Sequence, residues 1–347
     1  MNERDEIPIE ENVPDRARGQ VDRGRHAKSP TEVPKKGWKD ILWRTKAQLD
    51  EDNLSIVAAG VAFYAFVAVV PSLAVAIAIY ALVSDASDLT RHLGMLSQVV
   101  PGEVMPMLEE QITRIATEKT SAGISAILGV LIALYSSSNA TKAIITGLNI
   151  AYDETEKRGF VKLTAMAIGL TLSLIVGVIF IIGLIAVLPA VMRSVGLGSG
   201  AELALSILRW PLLVAVFLTG LAVVYRYAPC RDEPQWKWVS PGALLATSLW
   251  IAGSALFSLY VTAFGSYDKT YGSLGAVVVF LMWLYLSAYV ILLGAELNSE
   301  IERQTLADTT KGPERPLGQR SAYAADTVGP EHESVRPAVK SGATKKR

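Results

Sequence analysis

Charge is missing from the last two long apolar stretches of this chain: no Asp, Glu, Lys or Arg occurs from Pro241 to Phe264 or from Ser273 to Ala295. That absence excludes a solvated surface for either. Each is long enough to cross a bilayer, which takes about 20 predominantly apolar residues with every backbone group bonded inside the segment. Cysteine is almost absent as well, and with Cys230 alone an internal disulfide is excluded. Histidine is confined to His26, His92 and His332, with no metal-motif spacing, so no metal site is expected. Lys plus Arg and Asp plus Glu stand at 33 each, and a net charge of zero offers no electrostatic footprint for a nucleic-acid partner. No Gly-rich loop ends in Gly-Lys-Ser or Gly-Lys-Thr, so no nucleotide cofactor is expected and any use of ATP requires a partner.

What is present is hydrophobic residue, at 51% of 347 positions, more than an ordinary soluble domain carries. Apolar length predicts about six spanning helices: Ser55 to Ser84, Gly123 to Ala140, Phe160 to Leu188, Ile207 to Tyr227, Pro241 to Phe264 and Ser273 to Ala295. The fold class expected is therefore all-α, a polytopic membrane bundle over residues 38–303. The flanking tails, 1–37 and 304–347, are polar and short of large apolar residues. They are expected to be disordered, because burial there cannot offset chain entropy. The first apolar run begins past residue 50 and has spanning length, unlike a cleaved signal peptide. Lys35, Lys36, Lys39, Arg44 and Lys46 precede the first span; Lys142, Lys157 and Arg158 follow the second; Arg226, Arg231 and Lys237 follow the fourth. The alternate connections are poorer in Lys and Arg, so both termini are expected in the cytoplasm.

The connection from Asp85 to Thr120 carries apolar residues at helical spacing and predicts two amphipathic helices, broken at Pro101, over the outer face. Ala165, Gly169, Ser173 and Gly177 form a small-residue stripe expected to admit a neighbouring backbone. Ser254, Ser258 and Thr262 form a similar line of hydroxyls, for packing or for a polar pathway. Such stripes serve packing within and between chains equally, so homo-oligomer formation stays open. Pro71 interrupts the first span, giving either a kink or a discontinuous helix whose freed carbonyls line a cavity. Ser136, Ser137, Ser138 and Asn139 close the second span with polar groups; Asn139 is either interhelical glue or cavity lining.

Several motifs stand in order along the chain. They are Ala59-Gly60-Val61-Ala62-Phe63-Tyr64 with Pro71, Gly147-Leu148-Asn149-Ile150-Ala151-Tyr152 with Arg158, and Tyr225-Arg226-Tyr227-Ala228-Pro229. Pro241-Gly242-Ala243, Tyr271-Gly272-Ser273-Leu274-Gly275, Trp283-Leu284-Tyr285 and Leu293-Gly294-Ala295-Glu296-Leu297-Asn298 complete the pattern. Together they resemble the YihY/BrkB family of bacterial inner-membrane proteins, over about Trp38 to Arg303. The resemblance implies a multi-pass protein of the bacterial cytoplasmic membrane with about six helices. Members of the family have been labelled virulence factor or ribonuclease BN, and some have been proposed to move lipid or lipopolysaccharide precursors.

A metal-dependent ribonuclease needs carboxylates and histidines converging on metal, and a basic path for RNA. The acidic groups Asp50-Glu51-Asp52 and Asp153-Glu154-Glu156 sit at span ends and read as solvated faces. A non-enzymatic transporter or handler of lipid or envelope precursor is the leading expectation, with a scaffold in envelope assembly as the alternative. Candidate pathway or gating residues are Tyr64, Pro71, Ser137, Asn139, Asn149, Arg158, Arg226, Tyr260, Tyr267, Tyr271, Glu296 and Asn298. Glu296 and Arg226 are expected at cytoplasmic helix ends, where they can pair with Arg158 competing. The packing set is Gly169, Ser173, Gly177, Ser254 and Ser258. No span carries an ionisable group near its centre, which argues against an ion-coupled carrier.

Overall fold

A computed structural model of the chain describes residues 21–83, 123–187, 199–263 and 273–332. The amphipathic pair expected within Asp85 to Thr120, the turn at 264–272 and its Tyr267 and Tyr271 lie outside the described residues. Eight α-helices are described: α1 Lys35–Glu51, α2 Leu54–Val83, α3 Gly123–Ala151, α4 Phe160–Ile182, α5 Ser199–Tyr227, α6 Trp236–Ala263, α7 Ser273–Glu302 and the short α8 Tyr323–Asp326. A π-helical turn, Gly183–Val187, continues α4. Among the described residues there is no strand, only a single antiparallel bridge between Pro234 and Thr310. Helices α2 to α7 are the six that are long and apolar enough to cross a membrane. The all-α six-helix expectation holds.

Pro71 lies inside α2, and the helix runs on unbroken from Leu54 to Val83. The second expected span ends too early: α3 continues as helix to Ala151, so Lys142 is helical rather than part of a connection. Its ammonium snorkels over two rings, 4.7 Å from the Tyr135 centroid and 5.5 Å from that of Phe160.

Neighbouring helices follow the order α4, α3, α2, α7, α6, α5, and α4 and α5 meet only sparsely to close the arc. Packing is uneven along the membrane normal. At one end, here the base, Leu54, Ala58, Leu148, Ala167, Tyr225, Ala243, Leu292 and Ala295 belong to one buried core drawn from all six spans. The α6–α7 crossing is tightest there, since a Cβ on Gly242 would run into the Gly294 carbonyl, and one on Gly294 would lie 2.7 Å from the Gly242 carbonyl. Away from the base, Val75, Leu134 and Ile175 hold α2, α3 and α4 together. In α5, by contrast, no residue from Leu203 to Gly220 is buried.

The described parts of both tails correct the expectation of disorder. Arg25 donates to the carbonyls of Gln304 (3.2 Å) and Gly329 (2.8 Å), and Leu306 N–H donates to the Arg25 carbonyl at 2.7 Å. Arg320 serves the carbonyls of Leu306 (2.8 Å) and Ala325 (2.8 Å). Arg44 pairs with Glu300 and donates to Gln304 at 2.8 Å and to the Pro330 carbonyl at 2.9 Å. Residues 21–34 and 303–332 thus form a plate beneath the helix ends. Composition does not reveal it, because arginine forks on backbone carbonyls supplement a small apolar cluster in which Ala27 and Val33 pack on Ile41, Trp238, Leu297 and Ile301.

Candidate functional site

Two regions collect polar and aromatic side chains. The first is an aromatic seam halfway along the bundle. Phe217 of α5 stacks on Trp250 of α6 (centroids 4.6 Å), Trp250 meets Trp283 of α7 (5.9 Å), Trp283 stacks on Phe280 (6.3 Å), and Phe280 meets Phe66 of α2 (6.1 Å). Both indoles are satisfied across the α6–α7 interface: Trp250 Nε1 donates to Ser287 at 3.0 Å and Trp283 Nε1 to Ser254 at 3.3 Å. Ser254 is therefore an interhelical acceptor, as the packing reading expects. Ser287 stands outside any small-residue stripe, so its role has no signal in the sequence.

The second region is the polar base. Pro241 interrupts the backbone ladder near the start of α6, and Asn298 reaches from α7 to serve both sides of the break. Its Oδ1 accepts from Gly242 N–H at 2.7 Å and its Nδ2 donates to the Val239 carbonyl at 3.1 Å. Asn149 joins three segments, accepting from Cys230 N–H at 2.7 Å and donating to Glu156 at 3.0 Å. Arg158 forks onto Glu156 at 2.7 and 2.6 Å and donates to the Ala228 carbonyl at 2.9 Å. The Arg158 fork and the Asn149 amide hold the Glu156 carboxyl down to about 2.

The expected pairing of Glu296 with Arg226 does not form. Arg226 turns to Glu233 at 2.9 Å and to the Pro234 carbonyl, with its guanidinium over the Trp236 ring at 4.6 Å. Glu296 is 1% exposed, and its Oε2 has no hydrogen-bond partner among the described residues. The fully buried ion pair is a different one. Arg231 forks onto Glu302 at 3.0 and 2.6 Å, Thr309 donates to the same carboxylate at 2.6 Å, and the Tyr152 ring lies 5.0 Å from the guanidinium.

Carboxylates far apart in the chain also converge here. Asn53 (φ 50°) and Asp153 (φ 54°) take the left-handed conformation that short polar residues tolerate, ending α1 and α3 in tight turns. Those turns deliver Asp52 and Asp153 to the neighbourhood of Glu296 and Glu300, with Arg303 the cation among them. Asp52 Oδ2 is buried without a hydrogen bond among the described residues, and burial together with Asp153 pushes the Asp52 carboxyl up to about 6. Burial moves Asp153 upward as well. Of the two acidic groups, Asp50, Glu51, Asp153 and Glu156 are exposed, as their sequence context suggests, and Asp52 and Glu154 are partly buried. Among the described residues, no three His, Cys, Asp or Glu side chains come together in a way that could hold a metal ion.

The remaining candidates scatter. Ser137 is buried and bonds back to the Leu134 carbonyl at 3.1 Å, whereas Asn139 is exposed and makes no hydrogen bond among the described residues. Asn139 is thus not the interhelical glue that its polarity suggests. Tyr64 (50% exposed) packs edge-on against Phe63, and Tyr260 stacks on Phe257. Gly169 and Gly177 face open space, and Ser173 bonds its own helix at Gly169. The stripe they form packs no neighbouring helix among the described residues. Ser258 is exposed on α6.

Six apolar spanning helices joined at a polar base define a polytopic helical membrane protein. The chain belongs to the BrkB family, whose model, described as Virulence factor BrkB, matches residues 45–318. It is 35% identical over 220 residues to the ribonuclease-like protein YfkH of Bacillus subtilis, covering 61% of this chain and 78% of that one. It is 27% identical over 309 residues to a UPF0761 membrane protein of Cronobacter sakazakii (85% and 95% covered), and 26% over 265 residues to one of Pseudoalteromonas translucida (75% and 85%). No solved structure matches the chain.

Proposed function

We propose that this protein is a non-enzymatic transporter or handler of a lipid or envelope precursor in the bacterial inner membrane, with both termini in the cytoplasm. The observation that carries the reading is the contrast between a sealed base and a loosely packed opposite half, bounded by the aromatic seam. An amphiphile entering between α4 and α5 meets indole and phenyl faces with hydroxyl and indole N–H groups beside them, suited to acyl chains and a polar linkage. The concentration of Lys and Arg around the base supports its cytoplasmic placement. The folded tail plate favours a second reading, a scaffold that docks partners at the base.

The test is movement of a labelled phospholipid across proteoliposomes containing the full chain. An aromatic pair of the kind found in the seam is worth about 0.5–1.5 kcal/mol, so Trp250→Ala with Trp283→Ala slows movement roughly 2- to 13-fold. Wild-type vesicles no faster than empty ones overturn the transport reading and leave the scaffold.

A further inference from the structure

Glu296 is a buried carboxyl without a counter-ion among the described residues. The cations around it are engaged elsewhere: Arg303 with Glu300 at 2.6 Å and Asp153 at 3.9 Å, Arg44 with Glu300, Arg231 with Glu302, and Arg226 with Glu233. The charged groups that face it are Glu300 from its own helix, Asp52 from the α1–α2 turn, Asp153 from the turn after α3, and Arg303. The Tyr152 ring at the end of α3 faces it too. Three of those neighbours repel an ionised carboxylate, and such a group removed from water takes up a proton or a metal ion instead. A metal ion requires several oxygen ligands, and the described residues supply no such group.

We propose that Glu296 is a proton-binding site, and that Asp52 and Asp153 form its route to water at the base. Exposure rises along that route, from Glu296 at 1%, through half-buried Asp52 with its unpartnered Oδ2, to Asp153 with a side chain 32% exposed. The Asp52 carboxyl at about 6 exchanges protons close to neutrality, as a relay group must. The step is a plain transfer. The Glu296 O–H bond breaks, its proton is carried by an intervening water to the Asp52 carboxylate and then past Asp153 to bulk water, and Glu296 is left anionic. That new charge repels Glu300, the residue that anchors Arg44 and through it the tail plate. Deprotonation at Glu296 thereby loosens the base, whatever the cargo.

The test is infrared difference spectroscopy of the full chain in lipid nanodiscs, titrated from acid to alkaline pH. At neutral pH, wild type shows the C=O stretch of a shielded protonated carboxyl, and Glu296→Gln, close in shape to the protonated acid, abolishes it. Asp52→Asn removes a repelling neighbour and the relay together. It moves the pH at which the band disappears downward by about one unit and slows hydrogen–deuterium exchange of that carboxyl. A band retained in Glu296→Gln, or no protonated carboxyl in wild type at neutral pH, overturns the proposal. Should Glu296→Gln fail to fold, Asp52→Asn decides: an unchanged midpoint and an unchanged exchange rate overturn it.

Discussion

Glu302→Ala should be among the most damaging single substitutions in the base. Its carboxylate accepts from Arg231 at 3.0 and 2.6 Å and from Thr309 at 2.6 Å, and both side chains of the ion pair are fully buried. Removing it strands a guanidinium that keeps only a 3.3 Å hydrogen bond to the Asp232 carbonyl and the face of Tyr152. An uncompensated buried charge costs about 3–5 kcal/mol, and an orphaned hydroxyl about 1–3 kcal/mol more where neither relaxes toward water. Allowing for partial relaxation, a loss of about 4 kcal/mol is expected, roughly a thousandfold in the folding equilibrium. Replacing both partners has a different outcome. Arg231→Met with Glu302→Leu removes the charge that needed a partner, so the double variant should lie within about 1–2 kcal/mol of wild type. The assay is unfolding of the purified chain in mixed micelles, followed by tryptophan fluorescence and run as a double-mutant cycle. A single-variant loss below about 1 kcal/mol, or a double variant that costs the sum of the singles, refutes the reasoning.

Two further substitutions test other parts of the base. The Asp52 carboxyl is raised in the folded chain to about 6, so between the ordinary carboxylate range and that value the folded state holds a proton that the unfolded state has released. Stability then falls as pH rises through this window, and Asp52→Asn should reduce the slope, leaving the part that Asp153 contributes, and stabilise the protein above it by about 1–2 kcal/mol, after discounting for its half-exposed position; a slope unchanged in the variant counts against a raised Asp52 carboxyl. Gly294→Ala places a Cβ 2.5 Å from Tyr225 Oη and 2.7 Å from the Gly242 carbonyl, costing about 1–3 kcal/mol, whereas Gly169→Ala meets nothing within 4 Å and should be neutral or stabilising by up to about 1 kcal/mol. Thermal melts of the two variants that coincide would remove the close α6–α7 crossing.

Hydropathy locates the spans because the bilayer's demand for about 20 apolar residues is written locally. It misjudges the end of α3, since Lys142 looks like a boundary until its stem is seen lying along Tyr135 and Phe160. The Gly169–Ser173–Gly177 stripe has the right spacing for close packing, yet the residues that bring two backbones together are Gly242 of α6 and Gly294 of α7. The basal acids are legible only as separate groups. Asp52, Asp153 and Glu296 come from three turns or helices far apart in the chain, and no local pattern announces that they share one neighbourhood. Likewise Arg226 and Glu296 look like partners by sidedness, but a nearer carboxylate at Glu233 takes the guanidinium first.

The tail plate sets an order of events during synthesis. Arg25 emerges from the ribosome ahead of all six spans, but the Gln304 and Gly329 carbonyls that it serves follow the last of them. The spans can enter the membrane one by one, and Glu300 of α7 meets Arg44 of α1, while the remaining partners of Arg44 and those of Arg25 arrive only with the stretch beyond α7. The base is therefore completed only once the whole bundle has been made, by joining segments that flank it on either side. A nascent protein stalled before residue 303 would hold its helices in lipid with Arg25 lacking the Gln304 and Gly329 carbonyls and Arg44 lacking Gln304 and Pro330, a state that a quality-control protease can distinguish from the finished molecule.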